Sequence, residues 1–376
     1  MLDVVVVGAG PAGAVAATLL ARAGARVRIL DRAVFPRDKL CGDTVNPGTL
    51  AILNRLQLAS SIERCGLPIE GMRLSGENGV VVEGRYPPGI TGRALLRRDF
   101  DWMLLQEAIA AGAEFDPGVR VCSAVIEDGR VAGVKVGRGC DIRASVTIAA
   151  DGRHSTIAFG LGLASHPGRS RRWAAGAYVD VAGDQASRRF GEMHVRGGHY
   201  IGIAPVPGGL TNVCLVTPWH AGDAPLEDPR RRIVDALARD PLLRDRFAGA
   251  RLETSPVVIG PLAVDARHKA LDGLLLAGDA AGFIDPMTGD GLRFAIRGAE
   301  LSAIAAAEAL AHGWDGVHAR LARARRAEFA GKWRFNRVVR SLVASRPAVT
   351  LAAAGARLAP GVLRRAMIYA GDCWQA

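Results

Sequence analysis

Residues 3–31, "DVVVVGAGPAGAVAATLLARAGARVRILD", decide the fold. Four successive valines with no polar alternation make a strand buried on both faces, the signature of a parallel sheet. The strand feeds "GAGPAG" at 8–13; the apolar residues from Ala14 to Ala23 then read as a helix, Gly24 stops it, and "RVRILD" at 26–31 reads as a second strand. This βαβ context turns a weak glycine motif into a dinucleotide fingerprint. Gly8 serves the tight turn, Gly10 lets backbone approach a pyrophosphate, and Gly13 lets helix and strand pack closely. Pro11 and Ala12 belong to the cofactor-binding loop, and the helix N-terminus after it presents free N–H groups to the diphosphate. Asp31, followed by Arg32, is placed to accept from a ribose hydroxyl.

The first loop does not decide which dinucleotide is bound; two distant segments do. "VTIAADGRHST" at 146–156 is an apolar strand ending in Asp151-Gly152. "LDGLLLAGDAAGFIDPMTGDGLRFAIRGAELSA" at 271–303 is a strand, then Gly278-Asp279, then a glycine-rich turn that opens a long apolar helix. Asp279 is an acceptor for polyol hydroxyls, and the turn Gly289-Asp290-Gly291, followed by Leu292, sets backbone N–H groups at a helix start where negative charge is stabilised.

With "GAGPAG", "RRDFD" at 97–101, "ADG" at 150–152 and "GDAAGFIDPMTGDG" at 278–291 in that order, residues 1–310 resemble the geranylgeranyl reductase family of FAD-dependent oxidoreductases, which have the p-hydroxybenzoate hydroxylase fold. The resemblance implies that FAD is the cofactor. Gly8, Gly10, Gly13 and Asp31 would hold its adenosine and diphosphate, Arg97 the diphosphate and ribityl region, Asp279 the ribityl chain, and Gly289 to Leu292 the isoalloxazine. Asp151 and Gly152 match a motif credited with FAD and nicotinamide contacts.

The implied architecture is α/β: a Rossmann-like, discontinuous FAD-binding domain (1–67, 93–168, 258–313), an inserted antiparallel β-sheet substrate domain (68–92, 169–257) and a helical C-terminal region (314–376). The hairpin signal Asn78-Gly79 lies within 71–86, short strands run from Trp173 to Val216, and 228–247 reads as a helix. With no second GxGxxG in the sequence, NADPH or NADH would visit the flavin transiently. Substrate is expected between the sheet and the ring.

The 376 residues are 49% hydrophobic, enough for a substantial core. The six cysteines show neither CxxC pairs nor metal-ligand spacing, so no metal site is expected and a reducing cytoplasmic setting is. The N-terminus lacks the pattern of a secretory leader, and no apolar run is long enough to span a bilayer. Net charge is +11, concentrated after Arg320. A solvated arginine-rich surface is the simplest reading, peripheral membrane contact the next; nucleic-acid binding is not expected, because no recognition motif accompanies the charge.

"FPRDKLCGD" at 35–43 matches the P-x-x-K-x-C-G of the resembled reductases through Pro36, Lys39, Cys41 and Gly42. Halogenases of this fold carry a similar segment, but their W-x-W-x-I-P is replaced by "HYIGIAPVP" at 199–207; aromatic hydroxylases read G-D-A-A-H, whereas Gly282 stands here. The resulting expectation is an FAD-dependent reductase or dehydrogenase acting on a carbon-carbon double bond of a hydrophobic polyprenyl or polyketide-like substrate, free or carrier-bound. A flavin monooxygenase is the alternative; a halogenase and an electron-transfer flavoprotein are weaker ones. Cys41 is the candidate catalytic residue, a thiol able to protonate one alkene carbon, set against a plain packing role. Lys39 is a surface or diphosphate-proximal charge. His194, His199 and His220 are read as packed or solvated rather than as acids or bases on the substrate sheet, and Trp173, Tyr178 and Tyr200 as core packing with pocket lining as the alternative.

Overall fold

The computed structural model describes residues 2–137, 139–168, 172–181, 189–218, 228–267 and 270–373. Its first sheet has seven strands. Glu114–Pro117, Val27–Asp31, Leu2–Val7, Cys140–Ala149 and Leu274–Leu276 pair in parallel, and Val121–Glu127 and Arg130–Val136 extend the sheet antiparallel. Val4, Val5 and Val6 are fully buried, as a strand covered on both faces requires. Helix α1 (Pro11–Arg22) begins three residues before the apolar run, because proline at a first helical position is pre-set for the helix and its missing N–H costs nothing there. A Cβ on Gly13 would stand 1.8 Å from the carbonyl oxygen of Gly8, so α1 meets its own strand backbone to backbone.

Helices α2 (Pro47–Arg55), α3 (Ser60–Cys65), α4 (Arg97–Ala110) and α5 (Thr156–Gly160) follow in chain order. The second sheet has eight strands. The hairpin Gly71–Ser75/Val81–Arg85 joins strand Phe190–Arg196 in parallel; His199–Pro205, Leu210–Pro218 and Arg172–Asp180 continue antiparallel, with the short strands Arg251–Leu252 and Val257–Ile259 at the edge. The helix expected over 228–247 is shorter: α6 spans Pro229–Arg239. Asp240 precedes Pro241, and the residue before a proline is pushed to extended backbone, here ψ 120°.

The C-terminal part is α7 (Gly291–His312), α8 (Val317–Val343), α9 (Arg346–Leu358) and α10 (Pro360–Ala370), the last two opened by prolines. A buried ionic knot fastens them. Lys332 on α8 pairs with Asp290 (3.2 Å) and Asp372 (3.0 Å) and donates to the carbonyls of Tyr369 (2.6 Å) and Ala370 (3.1 Å). Arg293 on α7 bonds the other side of Asp372 and Glu328. The inner faces of α9 and α10 thereby rest on the hairpin of the second sheet, with Met367 over Gly84 and Ala353 and Ala356 beside Val80 and Val82.

Candidate functional site

A cavity of about 560 Å³ runs from the glycine loop at the start of α1, under the second sheet, to the C-terminal helices. Three regions of different chemistry line it.

The first is cationic. Gly10, Pro11 and Ala12 face Lys39, Arg97 and Arg153. A Cβ on Gly10 would meet nothing nearer than the Arg37 guanidinium at 3.6 Å; unlike Gly13, Gly10 leaves open space, as a loop built for close approach of a ligand does. Arg97 and Arg37 both bind the buried carboxylate of Asp101, at 2.7 and 3.0 Å. The Arg37 Nη1 and Arg153 Nε atoms are buried with no protein partner. Burial, then the positive charge of Arg97, lowers the pKa of Lys39; burial lowers that of Arg153. Several desolvated cations around a loop left open at Gly10 fit a diphosphate, whose charge and acceptor oxygens would supply what the protein leaves unpaired. Asp279 lines the same region beside Gly278, where a polyol chain would leave the diphosphate.

The middle region is built by residues 39–43. Leu40 packs where a Cβ on Gly176 would stand, 2.3 Å from the leucine, so this glycine lets the segment lie on the sheet. Cys41 lines the cavity, and its carbonyl accepts from Asn212 Nδ2 at 2.7 Å. Asp43, with φ 51°, turns its carboxylate into the protein, where it accepts from Tyr178 Oη (2.7 Å), Asn212 Nδ2 and the Arg97 amide (3.3 Å). Burial raises its pKa to about 6, and the bonds from Tyr178 and Asn212 oppose that rise only in part. Across the cavity, Gly289, Gly291 and Leu292 present the start of α7.

The third region is apolar. Pairing aligns Gly176, Cys214, Gly202, Met193, Leu74 and Val82 in one row across the second sheet. All but Gly176 line the cavity, small side chains over the middle region giving way to aliphatic ones toward α9 and α10. Burial pushes the Cys214 thiol up to about 12.

Several residues predicted from sequence lie behind these walls. Asp31 accepts from the amides of Ala9 and Ala33, both at 2.8 Å, and so fastens the turn around Gly8; Arg32 is exposed. Asp151 accepts from the Thr156 amide (2.7 Å) at the start of α5, its pKa raised by burial, while its neighbour Gly152 lines the cavity. The Asp290 carboxylate belongs to the knot with Lys332. Gly8 and Gly13 form the backbone contact beneath the loop. Gly42 lies on the cavity wall. Tyr200 lines the cavity and donates to Asp285 at 2.8 Å; Trp173 packs against Gly260. His194 is buried between Ser75 (2.7 Å) and Glu192 (3.0 Å), and His220 lies outside the described residues. Sequence reasoning missed Asp43 and Asn212. Their partners stand 54, 135 and 169 positions apart, and the only local signal is an acid directly after Cys41-Gly42. Among the described residues no cluster of side chains suits a metal ion.

The family model described as "FAD binding domain" matches residues 1–330. A menaquinone reductase of Mycolicibacterium smegmatis is 32% identical over 80% of this chain and 75% of its own length. Digeranylgeranylglycerophospholipid reductase 2 of Methanopyrus kandleri is 32% identical over 82% and 77%. Among solved structures, the flavin-dependent halogenase CmlS superposes with a TM-score of 0.79 at 25% identity, covering 89% of this chain; the chain spans 63% of that halogenase.

Gly10→Val tests the loop. The variant is expected to fold with unchanged thermal unfolding of the cofactor-free protein yet to purify without bound flavin; retained flavin absorbance would contradict the assignment. Asp43→Asn tests the turn. Because the folded carboxyl holds its proton to about pH 6 and the ordinary one only to 3.8, wild-type unfolding free energy falls as pH rises through that window. Urea unfolding across it is expected to show this slope in the wild type and its loss in the variant; parallel profiles would contradict it.

Proposed function

The chain belongs to the FAD-binding-domain family and is an FAD-dependent oxidoreductase, and from that premise we propose that it reduces a carbon-carbon double bond of a polyprenyl-type substrate. One observation carries the reading: the cavity beside the dinucleotide loop continues without a break into an aliphatic region between the second sheet and α8–α10. The printed names of its relatives, a digeranylgeranylglycerophospholipid reductase and a menaquinone reductase, both denote reactions on molecules with prenyl chains.

When bound and reduced, FAD supplies the hydride equivalent. The chain orients the alkene and provides the proton. Leu74, Val82 and Met367 would hold the prenyl tail by apolar contact, removing it from water at about 25 cal/mol per Å². The small row at Cys214 and Gly202 leaves width for a planar alkene over the middle region. Cys41, on the cavity wall, would give its proton to the second alkene carbon, and the Asn212 bond to its carbonyl, with Asp43 behind, fixes the turn that carries it. Cys214, held protonated by burial, is the second thiol on the wall.

The test is an anaerobic single turnover. FAD-loaded protein reduced with dithionite and mixed with a geranylgeranyl lipid is expected to return oxidised flavin and a product heavier by two hydrogens. An oxygenated product formed only in air would overturn the reading in favour of a monooxygenase. In Cys41→Ser, turnover is expected to fall about 100-fold or more with FAD still bound; an unchanged rate would remove Cys41 from the chemistry.

A further inference from the structure

From Phe329 to Gly371 the chain carries eight lysines and arginines and no carboxylate. Within that stretch α9 is apolar on both faces. Its inner face, with Val349, Ala353 and Ala356, is buried and walls the cavity. On its outer face Leu351, Ala354, Gly355 and Leu358, spaced i, i+3, i+4 and i+7, form an uncharged stripe; Leu351 is 75% and Leu358 88% exposed. Val362, 69% exposed, extends the apolar surface onto α10. Val338 and Leu342 on α8 line the cavity while 58% and 42% exposed, so they stand at its mouth. Arg334 and Arg337 near that mouth, and Arg357, Arg364 and Arg365 on the last two helices, are exposed. No helix among the described residues is long and apolar enough to cross a membrane.

We propose that α9 and the start of α10 dock on an anionic bilayer surface, inserting Leu351, Leu358 and Val362 among the acyl chains with the arginines at the headgroups, so that the mouth at Val338 and Leu342 opens toward the lipid. An exposed apolar stripe flanked by the arginines of the carboxylate-free segment 329–371, with Glu77 held by Thr350 at its inner edge, matches the two attractions that hold an interfacial helix: buried apolar area and charge against anionic lipid. Water does not favour such a stripe, and a polyanion without an apolar phase would use the arginines but leave the leucines wet. As a loading route this rests on the polyprenyl reading above; the surface itself does not.

Flotation of the FAD-loaded full chain on sucrose gradients separates the two. The wild type is expected to rise with phosphatidylglycerol-rich vesicles and roughly tenfold less with phosphatidylcholine alone. The Leu351→Asp/Leu358→Asp double variant is expected to lose roughly tenfold or more of its partition into the anionic vesicles, with flavin content and thermal unfolding unchanged. Added salt is expected to weaken the wild type partially, since it screens only the arginines. The proposal is overturned if the wild type stays at the bottom of the gradient or the double variant rises equally. It is also overturned if light scattering without vesicles shows a dimer that the double variant splits, for then a second copy covers the stripe. Reduction of a short polyprenyl alcohol in detergent should proceed equally in both proteins; its absence from both would overturn the proposed reaction and leave the flotation result standing.

Discussion

The contact of Gly13 with the Gly8 carbonyl is the constraint on which the rest of the molecule depends. Any side chain at Gly13 would occupy the carbonyl oxygen of the strand that precedes it, and any at Gly8 would meet the backbone of Ala150. Only with both positions bare does α1 start directly at the strand end, aiming its first N–H groups at open space. Asp31 ties the turn from the neighbouring strand, and the cations Arg37, Lys39, Arg97 and Arg153 gather around the opening. A bound diphosphate would offset their mutual repulsion and desolvation, which would link cofactor binding to folding of this end.

The ionic knot performs the complementary task at the other end. Lys332, Arg293, Asp290 and Asp372 are nearly inaccessible to water, where removing one partner of such a group typically costs about 3–5 kcal/mol. The knot ties the cavity-lining turn at Gly289–Leu292 to the last residues described, and so fixes α9 and α10 over the hairpin. The middle region at residues 39–43, the wall of aliphatic side chains and the exposed stripe on α9 are thereby parts of one assembly.

The glycine loop, the buried valine strand, the parallel βαβ unit, the hairpin and the helical C-terminus were legible in the sequence, because each has a local signal in residue spacing or backbone chemistry. What sequence did not disclose is long-range. The acid at 290 sits in a turn typical of cofactor contact, yet a lysine 42 positions later claims its carboxylate. Asp43 follows a readable cysteine-glycine pair, but its role depends on Tyr178 and Asn212 from two distant strands. The end of α6 is a different case: Pro241 lies inside the stretch 228–247 expected to be helical, and it turns Asp240 to extended backbone and ends the helix at Arg239.

One continuous cavity shared by cofactor and prenyl chain is the central claim, and titration of the oxidised FAD-loaded protein with saturated polyprenyl alcohols of increasing length measures it directly. The account predicts a saturable change in flavin absorbance and affinity that rises with each added unit until the chain reaches α10. A flavin spectrum indifferent to these ligands, or affinity independent of chain length, would contradict it.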